Sequence, residues 1–195
     1  MAFIKTIIAP TIRPVSLDEA KAHVKRSDTS EDTILGIYLD AAIEACESVL
    51  QTAIMNTQFE LRKKSFSTRF NLEKRWVSAI NSVKYYDTAG VLQTVASTNY
   101  ELQDFKTPNE LYFKSSFSYP DLYTDTEFPI VVDYNAGKLA ASGVTGVSAR
   151  IRDCVLLEFA DRHENRQTEV IGERIAAVMF NKTAEKILAT ESLWL

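Results

Sequence analysis

Hydrophobic positions recur at two different periods along this chain, and the change of period marks its organisation. Over the first fifty residues the spacing is helical. Ser16-Leu17-Asp18-Glu19 forms a capping box, in which the Ser16 hydroxyl accepts from the Glu19 N–H while the Glu19 carboxylate reaches back. Leu17, Ala20 and Val24 then predict a short amphipathic helix to about Lys25, entered through Pro14. The run RSDTSED supplies N-cap residues for a longer helix from about Glu31 to Leu50. Ile34, Tyr38, Ala41, Ala42, Ala45 and Val49 line one face of it, and Asp40, Glu44, Glu47 and Gln51 recur on the opposite one, which reads as a solvated acidic face.

From about Asn56 the period becomes two. TQFELRKKSF, RFNLEK, SVKYYD, VLQTV, NYELQ, ELYFK and PIVVDY are short aromatic and β-branched runs separated by turn signals, DTAG at 87–90 and TPNE at 107–110 among them. They predict a mostly antiparallel β lobe over 56–134. Its basic residues Arg62, Lys63, Lys64, Arg69, Lys74 and Arg75 are split between faces by the alternation and read as a solvated hairpin. NAGKLAASGVTG, with three glycines, is a loop back to helix. A helix is predicted over about Val147–Asn165, with Ile151, Cys154, Val155 and Phe159 on one stripe and Leu156, Leu157 and Ala160 widening it. That arc calls for packing from two sides, by its own domain and, as one option, by a neighbouring subunit. The polar stretch ENRQTEVIGE follows, and a last helical segment around Ala176–Ala189 leads into ESLWL.

Composition changes this picture little. Of 195 residues, 46% are apolar and 25% charged, which are ordinary globular values. No apolar run approaches the roughly 18 residues of a membrane span, and FIKTIIAP is too short for a secretory core, so no membrane role is indicated and a cytoplasmic origin is expected. The net charge of -4 argues against a dedicated duplex-DNA binder, whose affinity depends on neutralising phosphates.

Candidate chemistry is sparse. Asp161 and His163, two apart on a helix, point to different sides and form no orienting pair. His163 and Glu164 lack metal-binding spacing. His23 sits among lysines, and Cys46 and Cys154 read as small buried hydrophobes. No nucleophile elbow, phosphate loop, dinucleotide fingerprint or zinc motif is present, and no cofactor is indicated. The chain reads as an assembly or binding protein. A small hydrolase or metal enzyme built around His163 is the alternative.

The order of segments resembles a known family. PVSLDEAKAHVK, the helix SEDTILGIYLDAAIEACESVL, QTAIMNTQFEL, SVKYYDTAG with NYEL, and IVVDYNAGKL leading into RIRDCVLLEFADRHENRQ are similar to the head-tail connector (adaptor, or head-completion) proteins of tailed bacteriophages, in the long form with a β lobe between the second and third helices. The likeness covers roughly 10–167. Val144-Thr145-Gly146 stands where such proteins often carry Pro, and His163 where they often carry Tyr or Trp.

The resemblance implies an α+β fold with a helical ring-forming domain over 1–55 and 135–190, an inserted β lobe over 56–134 and a C-terminal docking tail over 191–195. It implies a virion neck protein without enzymatic activity: a ring, typically of twelve subunits, that sits under the portal protein, extends the DNA channel, closes the filled head and offers a platform to the tail or the next neck protein. Packaged DNA passes through without sequence-specific binding, which suits an acidic wall. A different neck or tail-completion component of the same fold, such as one from a gene-transfer particle, is the nearest alternative. Tyr38, Ile151, Val155, Leu156 and Phe159 are the implied subunit-interface residues, and Leu188, Glu191, Ser192, Leu193, Trp194 and Leu195 the portal-binding ones. For the tail, large apolar groups at about 1.5–3 kcal/mol each when buried would offset an ordering cost on the order of 1–2 kcal/mol per residue. A tail tucked onto its own domain is the competing reading.

Overall fold

The computed structural model describes residues 2–10, 12–105, 108–138, 146–165 and 181–193. The fold is α+β, with helices and antiparallel sheets segregated along the chain. Two compact units emerge, one of residues 13–54 and 142–195 and the other of 1–12 and 55–141.

The first unit holds α1 (Leu17–His23), α2 (Asp32–Leu50), α3 (Ala149–Glu164) and α4 (Lys182–Leu193). The capping box at Ser16 and Glu19 is formed on both sides, and Ser148 caps α3 through its hydroxyl. α2 and α3 pack on each other, α4 packs on both, and α1 lies against α2 and α3. The core comes from Leu35, Leu39, Ile43, Cys46 and Leu50 of α2, Ile151, Val155 and Phe159 of α3, and Ala184 and Leu188 of α4. Lys21 is buried with its Nζ 2.6 Å from Asp32 Oδ1, so its charge is compensated where α1 meets the start of α2.

The second unit contains every described strand. β1 (Ala2–Ile8), β2 (Thr57–Lys63), β3 (Arg69–Asn71), β4 (Val77–Tyr86), β5 (Leu92–Thr94), β6 (Tyr100–Gln103), β7 (Glu110–Phe113) and β8 (Ile130–Ala136) form two antiparallel sheets, ordered β1-β2-β8-β4-β5 and β3-β7-β6. β2 to β8 are the seven strands that the period-two runs predict. β1 is a finding: residues 2–8 belong to the sheet, whereas the sequence reading placed 1–55 with the helices. Its partner β2 lies more than fifty positions away, with Phe3 opposite Arg62 and Lys5 opposite Glu60, and local pattern carries no trace of such a pairing.

Tyr134 in the central strand β8 is fully buried and donates its hydroxyl hydrogen to the Leu72 carbonyl. Burial and the nearby Glu73 hold its phenol in the protonated form. The DTAG hairpin forms as predicted. The Gly90 N–H donates to the Asp87 carbonyl at 2.8 Å, the Asp87 carboxylate accepts from the Ala89 and Val91 N–H groups, and Gly90 supplies φ +76°. Asn109 is buried; its Oδ1 accepts from the Val77 N–H at 3.1 Å and its Nδ2 donates to the Asp104 carbonyl at 3.0 Å, tying the β3–β4 turn to the start of β7.

Candidate functional site

The surfaces, rather than any cleft, are where this protein differs from a self-sufficient domain. α2 has three faces. Leu35, Leu39, Ala42, Ile43, Cys46 and Leu50 face the core. Asp40, Glu44 and Glu47 form the acidic side: Arg13 grips Asp40 with two hydrogen bonds of 2.7 and 2.8 Å, and Glu47 accepts from the Ile54 N–H at 2.7 Å. The third face is apolar and uncovered, with Ile34 37% exposed, Ile37 56% and Val49 38%, and with Tyr38, Ala41 and Ala45 half-buried among them. This corrects the sequence reading. Of the six residues assigned to one apolar face, only Ala42 reaches the core. Helical periodicity finds apolar arcs but does not say which of two arcs the chain itself covers.

α3 resolves the other way. Ile151, Val155 and Phe159, expected at a subunit interface, are fully buried inside their own helical unit. Having no surface left, they have nothing to give a neighbour. The breadth of the α3 arc is accounted for by α2, α4 and α1, which all pack on it. Leu156, one step off that stripe, is half-buried at the surface, as is Tyr38.

The C-terminal residues divide similarly. α4 runs through Glu191, Ser192 and Leu193, so the chain is still helical where an extended tail was expected to begin. Leu188 is fully buried one turn after Ala184, on the face turned to α3, and so belongs to the core. Trp194 and Leu195 lie outside the described residues.

Among the described residues no group of three or more His, Cys, Asp or Glu is arranged to hold a metal ion. The His163 ring stacks on Phe159 at 6.4 Å, and its Nε2 is buried with no hydrogen-bond partner. Among the described residues no side chain is placed to orient that nitrogen for acid-base work. The buried charge that sequence reasoning missed is Glu158, 2% exposed. It accepts from the Asn181 N–H at 3.1 Å and pairs with Arg162 at 2.9 Å, satisfying the start of α4. The i, i+4 spacing of Glu158 and Arg162 was visible in the sequence, but not their burial. Burial, with a smaller effect from Cys154, pushes the Cys46 thiol up to about 12, which leaves it unreactive.

In the β unit a recess of about 320 Å³ is lined by Lys63, Lys64, Arg69, Phe70 and Glu73 among others. Two of its three lining cations are engaged: Lys63 lies 3.5 Å from Glu73 and over Phe70, and Arg69 is 3.4 Å from Glu110 and over Tyr112. Such pairing weakens the field that Lys63 and Arg69 offer an anion. Phe66, Phe113, Phe117 and Tyr119 pack as one aromatic cluster with centroids 5.4–6.1 Å apart.

No protein-family model matches the chain, and no curated protein matches it. Solved structures do. A chain from the virion of the native gene transfer agent (GTA) particle superposes with a TM-score of 0.74 at 18% identity, covering 96% of this chain and 93% of that one. A chain from the neck of the empty GTA particle, computed with C6 symmetry, gives 0.74 at 19% identity over 97% and 94%. One from the neck of the native GTA particle, computed with C12 symmetry, gives 0.70 at 20% identity over 96% and 93%. At these identities the likeness is one of fold.

Proposed function

We propose that this protein is a structural head-tail connector, or adaptor, in the neck of a tailed-phage-like particle. In this role it forms a ring below the portal that extends the DNA channel, closes the filled head and presents a platform to the tail or the next neck protein. The observation that carries the reading is the fold likeness, over nearly the whole chain, to one chain from the virion and two from the neck of a gene transfer agent, the neck structures computed with C6 and C12 symmetry, at TM-scores of 0.70–0.74. The uncovered apolar face of α2 supports it, because contiguous exposed apolar surface marks an interaction site.

In this reading Tyr38 and Leu156, together with Ile34, Ile37 and Val49, meet the neighbouring subunit. Leu193, Trp194 and Leu195, with Glu191 and Ser192, form the portal anchor at the end of α4, and Leu188 holds that helix in place. Trp suits such a role because its large apolar area is buried with little loss of side-chain freedom.

The test is co-sedimentation with DNA-filled, tailless heads of the cognate particle, combined with electron microscopy of the bound protein. The intact chain is expected to sediment with heads as a ring. Trp194→Ala is expected to lose the heads while remaining folded, and Ile37→Lys to lose the ring without losing stability. Failure of the intact chain to bind heads overturns the neck reading. Undiminished binding by Trp194→Ala overturns the anchor alone.

A further inference from the structure

Among the described residues the five-stranded sheet is open at both ends. The strand order β1-β2-β8-β4-β5 leaves β1 and β5 each with one side unpaired. Edges of this kind are ordinarily blunted by charges, prolines, bulges or very short strands; Lys5, the register shift in β1 and the three-residue length of β5 do this in part, yet large apolar side chains beside both edges stay exposed. β1 reads AFIKTII, with a single charge, at Lys5. Phe3 is 50% exposed, Ile7 41% and Ile8 57%, and only the register shift between Thr6 and Ile8 interrupts the strand. At the far end, Val91 is 54% exposed and Leu92 45%, beside the Asp87–Gly90 turn. The unit thus carries two separate strand edges, each flanked by exposed large apolar side chains.

We infer that β1 of one copy of this chain pairs with β5 of a second copy, continuing the sheet from subunit to subunit. Main-chain hydrogen bonds provide the attraction and the flanking apolar side chains the register, as in other strand additions. Two different edges meeting head to tail make a heterologous contact, which closes into a ring when the rotation per subunit closes. An isologous β1–β1 pairing would stop at a dimer. The second copy is the occupant favoured here because each chain carries two different edges flanked by exposed apolar side chains, and because the neck structures it resembles were computed with C6 and C12 symmetry; the inference rests on the ring proposed above. β5 contributes three ladder residues against seven in β1, so each contact is small and gains its strength by repetition around the ring.

Cysteine cross-linking tests this directly. Cys46 and Cys154 are both buried, so a short bis-maleimide linker leaves the folded native chain unlinked. The variant Phe3→Cys with Leu92→Cys, which changes exposed positions only, is treated after ring formation is confirmed by electron microscopy, on filled heads where free solution gives none. A ladder extending beyond the dimer in the double variant, absent from either single variant, is the expected result. Rings without a ladder overturn the edge pairing while leaving the neck reading intact. A dimer from Phe3→Cys alone, with nothing larger in the double variant, overturns it in favour of an isologous contact. A chain that stays monomeric even on heads removes both. As a second measure, Ile7→Lys, with an unchanged circular dichroism spectrum and melting temperature, is expected to weaken assembly at least tenfold; unchanged assembly counts against β1 as the edge.

Discussion

Replacing Gly137 by Ala should be among the most damaging single-methyl changes in the β unit. Gly137 follows β8 with φ +133°, a conformation side chains rarely adopt. A Cβ there would lie 2.2 Å from the Met55 carbonyl oxygen and 2.6 Å from the Asn56 nitrogen. Both are main-chain atoms, and neither yields freely. Thr57, the next residue, is paired with Ala136 in the β2–β8 ladder and its Oγ1 donates to the Met55 carbonyl at 2.9 Å, while the Gly137 N–H donates to the Trp76 carbonyl at 3.0 Å. Relief therefore breaks hydrogen bonds at about 0.5–1.5 kcal/mol each, on top of about 1–3 kcal/mol for the backbone conformation. For these two bonds and the backbone together the sum is about 2–6 kcal/mol, a large share of a typical domain's stability. Gly90→Ala is the control. Its φ is +76° but the nearest atoms are the Tyr123 ring at 3.4 Å, so the cost is only the left-handed conformation, about 1–2 kcal/mol. The assay is equilibrium urea unfolding followed by tryptophan fluorescence in a Trp194→Phe background, which leaves Trp76 as the single reporter of the β unit. Equal losses for the two variants, or a loss under about 1 kcal/mol for Gly137→Ala, would refute the steric argument.

Three further outcomes follow from buried or capped groups. Asn109→Ala strands the Val77 N–H and the Asp104 carbonyl and should cost about 2–4 kcal/mol in the same fluorescence assay. For Cys46, whose folded value is raised from 9.0 to about 12, stability is fully present below pH 9 and is lost as the pH rises toward 12. The native chain should therefore lose about 1.4 kcal/mol per pH unit more than Cys46→Ala across that window, measured by urea melts at pH 8, 10 and 11. Glu19 is held below its ordinary 4.5, first by the Ser16 N–H and then by Arg152, so its contribution is present above that value and fades as the pH falls through it. Glu19→Gln should cost under about 1 kcal/mol at pH 7, since the pair is exposed, and should flatten the decline in melting temperature between pH 5 and 3.

What the sequence disclosed was local. The Ser16 capping box, the Asp87–Gly90 hairpin and the seven period-two strands are written in neighbouring residues, and each forms. What it concealed depended on distant partners. β1 needs β2, more than fifty residues on, to become a strand. Glu158 and Arg162 announce an ion pair by spacing, but only the start of α4, at Asn181, makes Glu158 a buried cap. Tyr134 and Gly137, within the IVVDYNAGKL segment of the family resemblance, prove architectural: the Tyr hydroxyl satisfies the Leu72 carbonyl, and the Gly admits the chain at Met55 and Asn56. Of the residues assigned to an interface, Ile151, Val155 and Phe159 were chosen for an apolar arc that their own unit consumes.

The same arithmetic of arcs explains why α2 is the better place to look for a neighbour. A helix in a self-sufficient bundle needs one apolar stripe, and α2 satisfies that need with Leu35, Leu39, Ala42, Ile43, Cys46 and Leu50. Ile34, Ile37 and Val49 are then surplus to the fold of one chain. An exposed apolar stripe gives the monomer nothing and raises its risk of aggregation. Full burial of such a side chain contributes about 1.5–3 kcal/mol; these three are already partly covered, so together they supply a few kcal/mol per contact. Association itself costs at least about 4 kcal/mol. A contact of that size stays open in dilute solution and closes where subunits are already gathered, which is what the proposed neck role requires of it.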